Sequence, residues 1–448
     1  MEPIASDVVA AGKQARRRVP RSAHGAWAPA PDRFDPVDIL EQQAASRVPE
    51  LVPIRYGRMA ASRFAFLRGA PAIMAADIAR SPSSGLTVQL CGDAHLCNFG
   101  LFASPERALL FDLNDFDETL PGPFEWDVKR LAASVAVAAH ENRESDASAR
   151  AAALASARAY RLAMLRLAGL GELDVWYERV DTADLLPLIQ EPKYRKRVEA
   201  SLAKARGRTS LQALAKLTER GPGGEPRIIH DPPLLEPMDP EGLSHLQQIL
   251  QDYRDTLSED RSELLDRFEL IDAARKVVGV GSVGTRCYIG LFRGRNTGEP
   301  LFLQVKEAER SVLEPHLAPS VHRHHGQRVV AGQRRLQATG DIFLGWATGP
   351  GGRDFYWRQL RDMKGSAVVE GMPRPLLEQY ADLCGRTLAR GHARSGNRVA
   401  IAAYLGSGDV FDRAIADFAL GYAEQTRADH AALTTAISDG RISTRADV

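Results

Sequence analysis

Asp93, His95 and Asn98 lie within six residues of the stretch LCGDAHLCNFG, Leu90–Gly100, directly after the apolar run Leu86–Leu90. An acid and an amide spaced D-x-x-x-x-N suit phosphoryl transfer: the carboxylate orients and deprotonates an acceptor hydroxyl, and the amide oxygen ligates magnesium. Both must face one small volume, which a tight loop at a strand end provides. Alone, the pattern equally describes a polar turn, because Asp, Asn and the flanking Gly92 and Gly100 are common turn residues. A second acidic group favours chemistry. The strand ALLFDL, Ala108–Leu113, runs into NDFDE, so that Asp112, Asp115, Asp117 and Glu118 crowd together. Carboxylates this close repel, and a cation relieves the repulsion. Asp115 is the first candidate ligand, with Asp117 and Asp112 behind it.

A third group lies far downstream. Gly279, Gly281 and Gly284, with Ser282 between them, form GVGSVG. By itself G-x-G-x-x-G is a flexible turn, and its context decides its use. A dinucleotide fingerprint has to open a helix, whereas the following TRCYIGLF is β-branched and aromatic and predicts a strand. Strand, glycine loop, strand is the arrangement that covers nucleotide phosphates in kinases. Lys306, in LFLQVKEA, then falls on the next strand, where a lysine can pair with the α- and β-phosphates. A lysine in so apolar a strand is an awkward core residue without an anionic partner. His316, His322, His324 and His325 read as a polar loop ahead of a helix, and Cys91 and Cys97 as small apolar side chains.

These groups need elements to hold them. At 448 residues the chain is too long for one small core, so two or more lobes are expected. Residues 1–35, rich in Ala, Pro and Arg, predict a mobile basic arm. Residues 36–270 predict a helical lobe carrying the Asp93 loop and the acidic loop. Within them the Pro- and Gly-rich stretch Glu219–Gly242 reads as a linker or long loop. Residues 271–365 predict a sheet lobe with the glycine loop and Lys306, ending in the strand pair DIFLGWA and RDFYWRQL. Residues 366–448 predict helices that complete the helical lobe. The basic and acidic residues number 58 and 57, a net charge of +1, which does not point to nucleic acid. No apolar run reaches the ~18–20 residues of a membrane span. The N-terminal stretch has no apolar core of a signal peptide, and the four cysteines lack paired spacing, so a cytoplasmic protein is expected.

The motifs also carry a resemblance. CGDAHLCN resembles the HGDxHxxN stretch of the aminoglycoside phosphotransferases, LNDFDE their IDFDD, and GPFEWDVKRLA the start of their DPxxDLA helix. The resemblance implies Asp93 as catalytic base, His95 as a support for its loop, and Asn98 and Asp115, with Asp117, as magnesium ligands. Asp127 would be a buried carboxylate tying the helical lobe to that loop. Cys91 departs from the pattern by standing where those enzymes have His. Order departs too, because the glycine loop and lysine follow the catalytic loop instead of preceding it. A circular permutation reconciles the two. The implied fold is therefore α+β and protein-kinase-like, circularly permuted, with a small antiparallel-sheet lobe and a large helical lobe. A nucleotide hinge would fall at Gln359 and Leu360, running to Arg361. Glu314, with Glu309 behind it, would be the carboxylate partner of Lys306. From about Val37 to the C-terminal helices the chain also resembles the bacterial domain of unknown function 2252, in its GDAHLxNFG, LQVKEA and RQLRDMKGS phrases. The expected activity is an ATP- and Mg2+-dependent phosphotransferase with a small-molecule hydroxyl or amine acceptor. A nucleotide-binding pseudokinase and an AMP-transferring enzyme are the alternatives.

Overall fold

A computed structural model describes residues 2–445 except 190, 222 and 361. Its larger core is helical and forms around Glu125–Glu141. Every side chain from Glu125 to Ala139 is buried, the charged Glu125, Asp127, Lys129 and Arg130 included. The helices Asp146–Ala168 and Val410–Ser438 pack on it, and Arg374–Ser395 lies along the first of these. Gly385 allows that approach, since a Cβ there would sit 2.2 Å from the Ser156 carbonyl oxygen.

Two short antiparallel ribbons precede the central helix. Thr87–Leu90 pairs with Leu120–Pro123, and Phe99–Ala103 pairs with Leu109–Leu113. The turn carrying Asp93 leaves the first ribbon, and the acidic loop leaves the second, so the two polar segments emerge side by side.

The second core is a six-stranded antiparallel sheet. Its spatial order is Gly345–Gly349, Arg353–Gln359, Pro300–Glu307, Cys287–Gly294, Phe268–Lys276 and Leu235–Pro237. Pro300–Glu307 is buried along its whole length. Its odd positions Leu303 and Val305 join Trp357, Phe292 and the helix Pro240–Arg254 on one face. Phe302 points to the other, where Ile289 and Leu291 meet Ala213 and Leu217 of the helix Ser210–Leu217. Strand alternation puts Gln304 and Lys306 on the Phe302 side.

The mixed α+β architecture with an antiparallel sheet agrees with the sequence reading, and two boundaries differ from it. The stretch expected to be a mobile arm is a helix, Glu2–Arg18, laid along Arg398–Leu405. Its basic residues serve carbonyls left open at a helix end: Arg16 donates to the oxygens of Tyr404 and Ala403, and Arg21 to that of Leu405. Arg33 then clamps Asp77 and Asp429, each at 2.7 Å. The sheet region also begins well before residue 271. Helices Ser210–Leu217 and Pro240–Arg254 bury their apolar faces on the sheet, and the expected linker holds a hairpin, Thr218–Arg220 with Pro226–Ile228, and the edge strand Leu235–Pro237.

Candidate active site

The Asp93 turn is built on a buried carboxylate. Asp127, in the first turn of Glu125–Glu141, accepts the backbone N–H of Cys91 at 2.8 Å and of Gly92 at 3.1 Å. His392 Nε2 lies 3.1 Å from the same carboxylate, and His392 Nδ1 lies 2.9 Å from the Tyr160 hydroxyl. An imidazole from a distant helix therefore braces the turn, while Cys91 contributes its backbone and a buried thiol. Gly92 has φ +87°, and a Cβ there would lie 2.3 Å from the Glu118 carbonyl oxygen. Only glycine lets the turn rest on the acidic loop.

Asp93 itself is held from one side. Arg130 reaches its Oδ1 through Nε at 2.8 Å and Nη2 at 2.7 Å. Its Oδ2 lies 3.5 Å from His95 Nε2. Burial pushes the His95 imidazole down to about 4, against the pull of Asp93, so the ring is neutral near pH 7. Its Nδ1 is buried with no partner. Asn98 links the two loops: its amide donates to the carbonyls of Asp93 (3.0 Å) and Asp115 (2.9 Å), and its Oδ1 accepts from the N–H groups of Asp115 (2.7 Å) and Asn114 (3.2 Å).

Lys306 and the acidic loop meet although 189 positions separate Lys306 from Asp117. The Lys306 ammonium, 2% exposed, contacts Asp117 Oδ2 and lies 3.7 Å from Asp115 Oδ2. The Tyr356 hydroxyl donates to Asp117 Oδ1 at 2.8 Å. Burial alone would depress the lysine; Asp115 and Asp117 outweigh it and hold Lys306 above its ordinary value. Arg328 lies beneath the loop and donates to the carbonyls of Asp117, Thr119 and Glu309, each at 2.8 Å. Arg358 bonds Gln304 Oε1 at 2.9 Å and the Asn114 carbonyl at 3.0 Å. Glu118 turns away to accept the Val312 N–H at 2.7 Å, and burial pushes its carboxyl up to about 7.

The partner of Lys306 is thus Asp117, whereas Glu314 pairs with Arg310 at 2.9 Å. Asp112 is buried against Arg390 and the Ala338 N–H, away from the other carboxylates. Among the described residues no group of three or more His, Cys, Asp or Glu could hold a metal ion. Of the expected ligands, Asn98 spends its amide oxygen on two N–H groups and Asp117 is taken by Lys306 and Tyr356. Asp115, 46% exposed, keeps oxygen lone pairs toward solvent. That donor set fits a magnesium ion held by one carboxylate and the phosphates that bring it, which is how magnesium commonly binds.

The glycine loop does join two strands, Phe268–Lys276 and Cys287–Gly294. It rests on the N-terminal helices. Arg58 donates to the Gly279 carbonyl at 2.7 Å, the Val48 N–H to that of Gly284 at 2.8 Å, and Arg47 to that of Val283. The Ser282 carbonyl closes the turn by accepting from Thr285. At the expected hinge, the Gln359 N–H donates to Asp341 at 2.6 Å and the Leu360 N–H to the Phe302 carbonyl at 3.0 Å. Arg361 lies outside the described residues. A cavity of about 320 Å³ adjoins this strand end, lined by Phe102, Asn114, Leu301, Phe343, Arg358, Gln359 and Lys364 among others. Lys364 donates to the Gln359 carbonyl at 2.9 Å and is pushed down to about 7, first by burial and then by Arg358.

One fold element therefore brings Asp93, His95 and Asn98 together, and a second brings Lys306 onto Asp115 and Asp117. Arg130, Arg328 and Arg358 escaped the sequence reading. Arg130 and Arg328 are buried charges within helices and Arg358 is a part-buried charge on a strand, in stretches that hold other polar residues, so composition alone does not single them out. No curated protein and no solved structure matches the chain. A family model described as an uncharacterized protein conserved in bacteria matches residues 47–436, so the chain belongs to the DUF2252 family.

Proposed function

We propose that this protein is an ATP- and magnesium-dependent phosphotransferase whose kinase-like site is assembled in circularly permuted order, with a small-molecule hydroxyl or amine as acceptor. The observation that carries the reading is the meeting of Lys306 with Asp115 and Asp117 beside the Asp93 turn. Lys306 is a buried cation whose present partner is a carboxylate on a polar loop, and a phosphate group can replace that partner. Asp115 would hold magnesium, which supplies charge neutralisation on the phosphates when bound. Asp93 Oδ2 accepts the acceptor's proton as its oxygen or nitrogen bonds to the γ-phosphorus and the bond to the β–γ bridging oxygen breaks, releasing ADP. Arg130 holds the opposite carboxylate oxygen and so fixes the direction of the base. Positioning and charge neutralisation supply most of the rate.

The test pairs nucleotide-dependent melting with ATP turnover, using bacterial metabolite extract as the acceptor source. Asp93→Asn should keep the ATP–magnesium melting shift and lose turnover on the order of a hundred- to ten-thousand-fold. Lys306→Ala should lose both. Wild-type protein whose melting responds to no nucleotide, with or without magnesium, would refute the reading. Nucleotide binding without turnover, unaffected by Asp93→Asn, would leave a pseudokinase; AMP found on the product by mass spectrometry would make the enzyme an AMP transferase.

A further inference from the structure

The cavity beside Gln359 is separate from the phosphoryl-transfer site: Asp93, Asp115, Lys306 and the glycine loop contribute nothing to its walls. Part of its lining is apolar, from Phe102, Leu301 and Phe343, none more than 7% exposed. Part is polar and includes two cations six positions apart in the chain, Arg358 and Lys364. Arg358 gives its Nε to Gln304 Oε1 and its Nη1 to the Asn114 carbonyl, and Lys364 Nζ donates to the Gln359 carbonyl. These acceptors are neutral, and among the described residues neither cation forms an ion pair with a carboxylate. Gln333, 4% exposed, lines the same space. Its Nε2 donates to Gln337 Oε1 at 2.8 Å, while its own Oε1 finds no donor.

These walls define what can occupy the space. Four basic and three acidic side chains line it, an excess of one positive charge. Two of the acids are engaged: Asp341 accepts the N–H groups of Gln359 (2.6 Å) and Phe343 (2.8 Å), and Asp362 accepts from Arg107 at 2.6 Å. A monoanion balances the excess, whereas a dianion leaves a charge uncompensated against Asp341. A carboxylate matches a guanidinium and an amine held near one another. Volume sets the size. Benzene fills a dry cavity of about 150 Å³, so about 320 Å³ takes roughly a dozen non-hydrogen atoms. That is an acid with an apolar body for Phe102, Leu301 and Phe343, not a lone ion. Gln333 Oε1 calls for a donor on the ligand, and a hydroxyl supplies one without the second charge of an amino group.

We infer that this cavity is a binding site for a hydroxycarboxylate with an aromatic or branched aliphatic body. The carboxylate lies between Arg358 and Lys364, the hydroxyl donates to Gln333 Oε1, and the body packs on Phe102, Leu301 and Phe343. The site goes beyond the phosphotransferase reading and does not rest on it. Arg358 makes it an effector site for the acidic loop, since the same guanidinium holds the carbonyl of Asn114, one residue before Asp115.

The experiment titrates the full chain by calorimetry with sodium 3-phenyllactate, with 3-phenylpropionate, which lacks the hydroxyl, and with 3-phenylpropionamide, which lacks the charge. Acylation of Lys364 at pH 7.5, read by peptide mass spectrometry, serves as a footprint. Phenyllactate should bind and slow that acylation. Phenylpropionate should bind about two- to tenfold more weakly, the loss of one neutral hydrogen bond. The amide, and both acids on Lys364→Met, should bind about ten- to a hundredfold more weakly, the loss of a charge-assisted one. Gln333→Met should erase the preference for phenyllactate over phenylpropionate, which a merely structural role would leave in place. If Gln333→Met does not fold, Lys364→Met and the footprint carry the test. No binding of either acid, or binding that neither shields Lys364 nor weakens in Lys364→Met, overturns the site. An amide that binds as tightly as the acids overturns the anion, and equal affinity for the two acids in wild type overturns the part of Gln333. Binding as expected by a chain that responds to no nucleotide leaves the site standing and removes the phosphotransferase reading instead.

Discussion

Deleting either member of the Lys306–Asp117 pair should have unequal consequences, because the two charges differ in access to water. The side chain of Lys306 is 2% exposed, that of Asp117 26% and that of Asp115 46%. Removing one partner of a buried pair costs roughly 3–5 kcal/mol when the charge left behind stays buried. Asp117→Ala strands Lys306 with only Asp115, 3.7 Å away, so a loss of about 3 kcal/mol is expected, the low end of that range. Lys306→Met strands two carboxylates that water already reaches, and methionine refills the stem of the lysine. That change should cost about 1 kcal/mol or less, as for exposed pairs. The double variant should be close to Lys306→Met alone, a coupling of about 3 kcal/mol between neighbouring sites. The ordinary lysine value lies near 10.4, and the folded value is raised above it. The stabilisation is therefore fully present below that ordinary value and fades only as pH climbs through the raised one. The same coupling should be found at pH 7 and pH 9. Urea unfolding followed by far-ultraviolet circular dichroism measures all four proteins, with each transition fitted separately because two cores need not unfold as one. If Lys306→Met costs as much as Asp117→Ala, or the two losses add, the charges are not a coupled unit and the reasoning fails.

Other consequences follow from the same geometry. The folded Glu118 carboxyl titrates near 7, above its ordinary value of about 4.3, so folding stability should decline as pH rises between those values and level off above. Glu118→Gln should flatten that decline in urea midpoints measured across the range. Gly92→Ala places a Cβ 2.3 Å from the Glu118 carbonyl at φ +87°; it should cost more than ~1 kcal/mol, and an unchanged unfolding midpoint would show that the two loops can part. Lys364, pushed down to about 7, should be acylated ahead of surface lysines at pH 7.5, as read by peptide mass spectrometry, and labelling no faster than theirs would show its amine to be fully charged.

How much of this site could be read from the chain depends on what kind of evidence each residue leaves. Lys306 was legible because a charge inside LFLQVKEA contradicts its surroundings, and the contradiction announces a partner. Its partner was not legible: Asp115 and Asp117 are two positions apart on one loop, and the turn geometry alone decides which carboxylate meets the ammonium. The strand pair around GPGG could be read from its turn chemistry. The sheet's extent could not, because an amphipathic helix such as Pro240–Arg254 declares an apolar face without naming the core it covers. The basic N-terminal stretch misled for a related reason. Its arginines satisfy backbone carbonyls of Arg398–Leu405, and a carbonyl leaves no trace in composition.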